Sequence, residues 1–361
     1  MLFFDMWLLA VTSCILLPRG LMATIGIIAN PAAGKDVRRI VAHGFSVDNE
    51  AKVSMVRRVI LGAVSLGCNR ILLMPDSYHI GARALAGLGT VNAAEERCLL
   101  LDMPTSHTAV DTLAATRLMQ AMDVGCIVTL GGDGTVRLVA KAAPTMPLLP
   151  ISTGTNNVLP TFVEATVAGM AAALVATCPA LHESVLIKRH GLVVSAPGLE
   201  PDLALVDVAS LRGTAVGARA IWDWRPLNDV IAVSPRADAI GLSAIVGACF
   251  PESPLAAWVQ VGSGKSVLAA IAPGVVMAVP IAQARALTVG EIVSLDEGPC
   301  VIALDGEREM VAQHGPITVE VQSNCATIVD VHMTLTEAAK RGLVRSYSHL
   351  SQCTRVGSCL L

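Results

Sequence analysis

The run Cys126-Ile-Val-Thr-Leu130, followed at once by Gly131-Gly132-Asp133-Gly134-Thr135, constrains the fold of this chain more than any other stretch. The first five residues read as a buried strand. Val136, Val139, Ala140 and Ala143 then fall at i, i+3, i+4 and i+7, so a helix is predicted from about Gly134 to the residue before Pro144. The glycines let backbone amides approach a ligand with no Cβ in the way. A strand, a glycine turn and a helix in this order present N–H groups at a helix N-terminus, which suits a phosphate. An aspartate does not itself attract a phosphate. Its place at the apex of the turn suggests chemistry on a hydroxyl beside one, which makes the chain a candidate phosphotransferase.

The same alternation extends from residue 22 to about 155. Thr24–Ala29, Arg70–Met74, Cys98–Met103 and Leu148–Ile151 read as further strands. Between them Val53, Val56, Ile60 and Val64 make one helical face, Tyr78–Leu88 reads as helical, and Val110, Leu113, Ala114 and Leu118 make another face. Such alternation predicts a doubly wound parallel sheet with helices on both faces. Ligands of such sheets sit at the carboxyl ends of the strands, where Asn30, Asp76, Gly131 and Ser152 fall. After a helical interval at Val167–Thr177 come short strand candidates: Val185–Ile187, Leu192–Ser195, Leu203–Val208, Val230–Val233, Val267–Ile271, Val275–Ile281, Val301–Leu304 and Ile317–Val321. They predict a β-rich, sandwich-like second domain. Thr334-Leu-Thr-Glu337 has the form of a capping box opening a last helix that stops at Gly342 and packs back on the first domain. The expected organisation is an N-terminal extension over 1–21, an α/β nucleotide-binding domain over 22–158 completed by 331–345, a β-rich acceptor domain over 159–330, and a tail over 346–361.

Composition excludes several classes. A net charge of −3 offers no clustered basic face for nucleic acid. The chain is 53% hydrophobic and 15% charged, but its apolar runs break well short of the roughly 20 residues a spanning helix needs. No stable membrane insertion and a cytoplasmic location are expected. Met6–Leu17 resembles a signal core but follows Asp5 and lacks a basic n-region, so Met22 is the expected natural start, with a signal peptide or membrane anchor and an ordered extra helix as the alternatives. The ten cysteines include no C-x-x-C pair and the eight histidines are scattered, so neither a disulfide framework nor a Cys/His metal site is expected. A homo-oligomer is expected.

Four segments lie at strand ends or turns: Asn30-Pro-Ala-Ala-Gly34-Lys35, Gly131–Thr135, Ser152-Thr153-Gly154-Thr155-Asn156-Asn157 and Leu304-Asp305-Gly-Glu307. In this order they resemble the superfamily of NAD kinases and diacylglycerol or sphingosine kinases, over most of residues 22–345. Gly-Gly-Asp-Gly-Thr is that group's signature. Ser-Thr-Gly-Thr-Asn-Asn, with Arg-Ala-Asp-Ala-Ile-Gly-Leu-Ser at 236–243, is most similar to the ATP-NAD kinase-like branch that includes the X proteins of acetoin catabolism. The resemblance implies a two-domain kinase that uses ATP and Mg2+. Gly131, Gly132, Gly134 and Thr135 would hold the nucleotide phosphates, flanked by Asn30, Gly34 and Lys35 and closed by Thr153, Gly154, Thr155, Asn156 and Asn157. Asp133 would orient or deprotonate the acceptor hydroxyl. Asp305 would assist it, and Glu307 would position magnesium.

Two departures bear on the acceptor. NAD kinases carry an Asn-Glu pair on the first long strand of the second domain, where this chain has Val206 and Asp207. Lipid kinases carry a glutamate three residues after the motif threonine, where this chain has Leu138, preceded by Arg137. Gly262-Ser-Gly-Lys-Ser266 lacks the first glycine of a P-loop, Val259 standing in its place, and reads as a turn between strands. Trp222-Asp-Trp224-Arg225 reads as a packed corner. The expected activity is phosphorylation of a small-molecule hydroxyl, NAD to NADP first. A lipid or other metabolite kinase and a catalytically silent nucleotide-binding regulator linked to acetoin catabolism are the alternatives.

Overall fold

The computed structural model describes residues 23–34, 42–89, 94–154, 156–214, 219–295 and 298–345. The N-terminal extension, Lys35, Thr155 and the tail lie outside the described residues. Strands β1 (Thr24–Ala29), β2 (Arg70–Leu73), β3 (Cys98–Leu100), β4 (Cys126–Gly131) and β5 (Pro147–Ser152) pair in parallel in the order β3-β2-β1-β4-β5. The order reverses direction between β1 and β4. The carboxyl ends of those two strands are therefore the topological switch point, where open α/β sheets bind ligands.

The parallel sheet does not end at β5. It continues through β15 (Ile317–Val329), β6 (Leu186–Ser195) and β7 (Asp202–Ala204), with β12 (Ile292–Leu295) also on β15, so a nine-stranded sheet draws on both halves of the chain. A six-stranded antiparallel sheet is built from β8 (Asp207–Arg212), β9 (Leu227–Val233), β10 (Ala256–Ala272), β11 (Val275–Leu287), β13 (Cys300–Leu304) and β14 (Glu307–Ala312), in the order β11-β10-β9-β8-β13-β14. Leu192 and Val194 of β6 and Val319 and Val321 of β15 meet Val208, Ile231 and Ile302 of the second sheet in a shared apolar core. The two sheets thus pack face to face, held by area removed from water.

Helices α1 (Asn49–Ser65), α2 (Ile80–Ala86) and α5 (Ala165–Thr177) cover one face of the first sheet; α3 (Ala109–Ala121) and α4 (Asp133–Ala142) cover the other, and the short helices α6 (His182–Val185) and α7 (Leu242–Gly247) follow later in the chain. α1 and α5 touch backbone to backbone. A Cβ on Gly62 would collide with the Thr166 carbonyl, and one on Gly169 with the Val59 carbonyl. Gly169→Ala is therefore expected to destabilise the fold by about 1–3 kcal/mol, because neither backbone can yield cheaply. Urea unfolding midpoints measure it, and an unchanged midpoint would refute the close crossing. Among the described residues no single helix is long and apolar enough to cross a membrane.

The structure departs from the expected elements in four places. The inward face of α3 is Asp111, Thr112, Ala115, Thr116 and Met119, leaving Val110 and Leu118 exposed. The buried Asp111 carboxylate accepts the Ser106 and His107 amides at 2.8 and 2.7 Å, and the Thr116 hydroxyl donates to the Thr112 carbonyl. Satisfied polar groups can be buried, and they turn the helix against its apolar spacing. Gly262–Ser266 is no turn. It is an irregular stretch inside β10, whose hairpin closes at Gly274, with φ near +75°. The last helix, α8, spans Val331–Lys340 and is capped by Asp330, which accepts from Met333; Glu337 instead pairs with Arg341. Gly342 takes the left-handed conformation at the helix end, as its sequence position suggested. The fourth departure concerns the site: the expected strand Leu203–Val208 breaks at Leu205-Val206, β7 joining the first sheet and β8 the second.

Candidate active site

Three loops meet at the switch point. After β1 the Asn30 side chain accepts the Ala32 amide at 2.9 Å and donates to the Thr135 hydroxyl at 3.0 Å, joining the first loop to the glycine turn. Lys52 of α1 is fully buried beneath that loop and donates to the carbonyls of Asn30 (2.9 Å) and Ala33 (3.0 Å). Gly34 has φ near +81° and lies against Ser46 and the Thr153 carbonyl. After β5 the Thr153 amide donates to Gly131 at 3.3 Å, and Asn157 donates to the Ser152 hydroxyl at 2.8 Å and the Gly154 carbonyl at 3.2 Å. A Cβ on Gly132 would stand 2.8 Å from the side-chain Oδ1 of Asn157, so a larger residue there would displace the Asn157 amide. Gly132 is also the N-cap of α4 and brings no capping side chain, and nothing lies within 4 Å of where a Gly134 Cβ would be. The start of α4 therefore opens onto free space with its helical amides leading, which fits the phosphates of a nucleotide.

The first residue of that helix also faces the second sheet. Asp133, Asp207 and Asp305 line one cavity together with Asn156, Val206 and Gly306. Its volume of about 10 Å³ is on the scale of a single water. Asp133 accepts the Val158 and Leu159 amides at 2.9 and 2.8 Å, one on each oxygen, and so anchors the loop after β5. Asp305 sits in the β13–β14 turn with φ near +50°. Its Oδ1 accepts the amides of Leu205, Val206 and Asp207 at 3.0, 2.8 and 3.3 Å. Those three amides cannot serve a strand ladder as well, and that is why the chain leaves one sheet for the other here. Asp305 Oδ2 is buried without a hydrogen bond, 3.7 Å from Arg137 Nε.

Burial dominates the electrostatics. It raises Asp305, against the opposing charge of Arg137 and the three amides. Asp207 is pushed up to about 8 by burial, then by the charges of Asp305 and Asp133, with the amides of Gly306 and Ser243 opposing. Folded Asp207 thus keeps its proton to about pH 8, whereas an unfolded aspartate releases it near pH 4. Its contribution to stability is complete below about pH 4 and is lost as the pH rises to about 8. Asp207→Asn is expected to match the wild-type Tm at pH 4 and to exceed it increasingly toward pH 8.5. A Tm difference independent of pH would refute this ionisation.

Glu307 stands apart. It is half-exposed on β14, 3.6 Å from Arg219, and does not line the cavity. Among the described residues no three His, Cys, Asp or Glu side chains are arranged to hold a metal ion. Trp224 packs against the core of the second sheet and Arg225 pairs with Asp223, forming a corner. Two participants escape the motif reading. Lys52 lies on the buried stripe of α1 with Val56, Val59 and Ala63, and a lysine on an apolar stripe is itself a signal. Arg137, one turn after Asp133, is 5% exposed and reaches Glu309 at 3.0 Å and Asp202 at 3.5 Å.

A family model of the ATP-NAD kinase N-terminal domain matches residues 25–177, and one of the acetoin catabolism protein X C-terminal domain matches residues 190–324. Acetoin catabolism protein X of Cupriavidus necator is 35% identical over 339 residues, covering 89% of this chain and 94% of that protein. An uncharacterized protein of Archaeoglobus fulgidus is 30% identical over 207 residues, 56% of this chain and 54% of its own length. A solved structure named as a diacylglycerol kinase of Bacillus anthracis covers 85% of this chain and 96% of its own at 14% identity, with a TM-score of 0.32. Along nearly its whole length, the chain belongs to the acetoin catabolism protein X family and carries an N-terminal domain of the ATP-NAD kinase type.

Proposed function

We propose that this chain is an ATP-dependent phosphotransferase acting on a hydroxyl of a small molecule, with NAD as the first acceptor to test. One observation carries the reading: Asp133 begins the helix whose open N-terminus suits the donor phosphates, and the same residue lines the acidic cavity toward the second sheet. Phosphoryl transfer depends mainly on alignment and charge neutralisation, so a shared residue between donor and acceptor sites is what the reaction needs. Asp133 would orient or deprotonate the hydroxyl. Asp207, with its proton held to about pH 8, lies in the range where a side chain exchanges protons efficiently near neutrality. Asn30, Thr135 and the 152–157 loop would flank the phosphates. Magnesium would enter with the nucleotide.

The purified chain is to be incubated with ATP, magnesium and NAD, and NADP followed by a coupled dehydrogenase. NADP formation supports the reading in full. Its absence removes NAD, and a screen of other hydroxyl acceptors, lipids included, follows by ADP release. Val206 favours an acceptor other than NAD, because an apolar side chain makes no amide hydrogen bonds. A second reading, a nucleotide-binding regulator without turnover, is favoured by the size of the cavity and by the two amides that already occupy Asp133. ADP binding without ADP release from any acceptor would select it.

A further inference from the structure

Among the described residues no carboxylate balances the charge of Arg189 on β6. Among the described residues its side chain makes no hydrogen bond and no ion pair, and its Nε is buried. Burial and the nearby charge of Arg236 both lower its affinity for its proton, and no carboxylate opposes them. Arg236 has one partner, Asp238 at 2.9 Å, and that pair is exposed. A partly buried, unpaired guanidinium beside a second cation is an arrangement folding alone does not favour.

The topology shows what the two arginines share. On one side Arg189 pairs with Ala326 of β15; on the other, β7 pairs with β6 only over Leu192–Val194. Extending that register brings Arg189 level with residue 207, where the chain has already crossed to the second sheet. Arg236 follows Val233, whose amide donates to the Val206 carbonyl at 2.9 Å. The extended register puts Arg189 level with the Leu205-Val206 crossing, Arg236 lies in the loop that leaves β9 three residues beyond Val233, and Val206 itself lines the acidic cavity.

We propose that Arg189 and Arg236 form an oxyanion site beside the Val206 crossing, holding a phosphate or carboxylate group of a small-molecule ligand. The guanidinium fork matches either group. Resting on the phosphotransferase reading, that group belongs to the acceptor. The acceptor is then an anionic, hydroxyl-bearing metabolite. Three aspartates would repel its charged end and the arginines attract it, so the hydroxyl is the end presented to Asp133.

The test titrates inorganic phosphate and, separately, acetate into the full chain by calorimetry at constant ionic strength. Wild type is compared with Arg189→Met, Arg189→Lys and Thr135→Ala, the last perturbing the glycine cradle. The expected result is binding of at least one anion that weakens about tenfold or more in Arg189→Met, in line with loss of a charge-assisted contact. Arg189→Lys should recover part of the affinity and Thr135→Ala should leave this component unchanged. Preference for phosphate or for acetate tells which group the acceptor carries. Without added anion, Arg189→Met should melt at or above the wild-type temperature. Equal affinities in wild type and Arg189→Met, or no binding of either anion, would overturn the proposal. A marked fall in the melting temperature of Arg189→Met would do so too, because it reveals a structural partner. ADP is titrated in parallel. Failure of wild type to bind ADP removes the phosphotransferase reading, yet leaves the arginine site judged by its own anions.

Discussion

Asp133→Ala is expected to lower phosphoryl transfer by about 10²–10⁴-fold, the contribution of a positioned acid–base group, while ADP still binds. Asp133 opens helix α4, whose N-terminus is proposed to take the donor phosphates, and its carboxylate lines the cavity proposed for the acceptor. The substitution also frees the Val158 and Leu159 amides, so the loop that closes the cradle loosens. Weaker nucleotide affinity is expected from that loosening, and steady-state rates at saturating ATP separate it from chemistry. Turnover equal to wild type under those conditions would remove Asp133 from the reaction.

Arg137→Met is expected to destabilise the protein by about 3–5 kcal/mol, the cost of leaving a buried charge without its partner. Arg137 stands between α4 and the second sheet, with Asp202, Asp305 and Glu309 around it, and the Asp305 side chain is fully buried. Removing the cation raises Asp305 further. A carboxyl raised by folding contributes its stability at low pH and loses it as the pH rises, so the deficit should be larger at pH 8 than at pH 5. Urea unfolding at both values measures it. Adding Asp305→Asn should restore part of the loss at pH 8, because the group left behind then carries no charge. An equal deficit at both pH values would mean that Arg137 acts through packing alone.

Most of the fold was legible because local periodicity and turn chemistry agreed. The 126–143 unit is where the spacing put it, as strand Cys126–Gly131 and helix Asp133–Ala142. The helix over 109–121 was legible as a helix but not in its orientation. Its inward face is set by Asp111 and Thr116, whose hydrogen bonds come from the loop before the helix and from the helix backbone. Apolar spacing takes no account of a polar group that finds a partner. The long strand β10 was read as a short strand preceded by a turn at Gly262, because a bulge and a turn use the same residues.

The order of elements, the glycine turn with its aspartate, and the family to which these belong can all be read from the chain alone. Each rests on residues close together in the chain, where spacing and backbone freedom suffice. How the two halves share one sheet, and which carboxylates meet, emerges only when the chain is folded. Asp133, Asp207 and Asp305 are spread over 172 residues, and their convergence depends on a crossing at Leu205-Val206 held by the Asp305 side chain. The same crossing places Arg189 where no strand covers it. Long-range hydrogen bonds and buried charge set these positions, and neither leaves a periodic mark on the sequence.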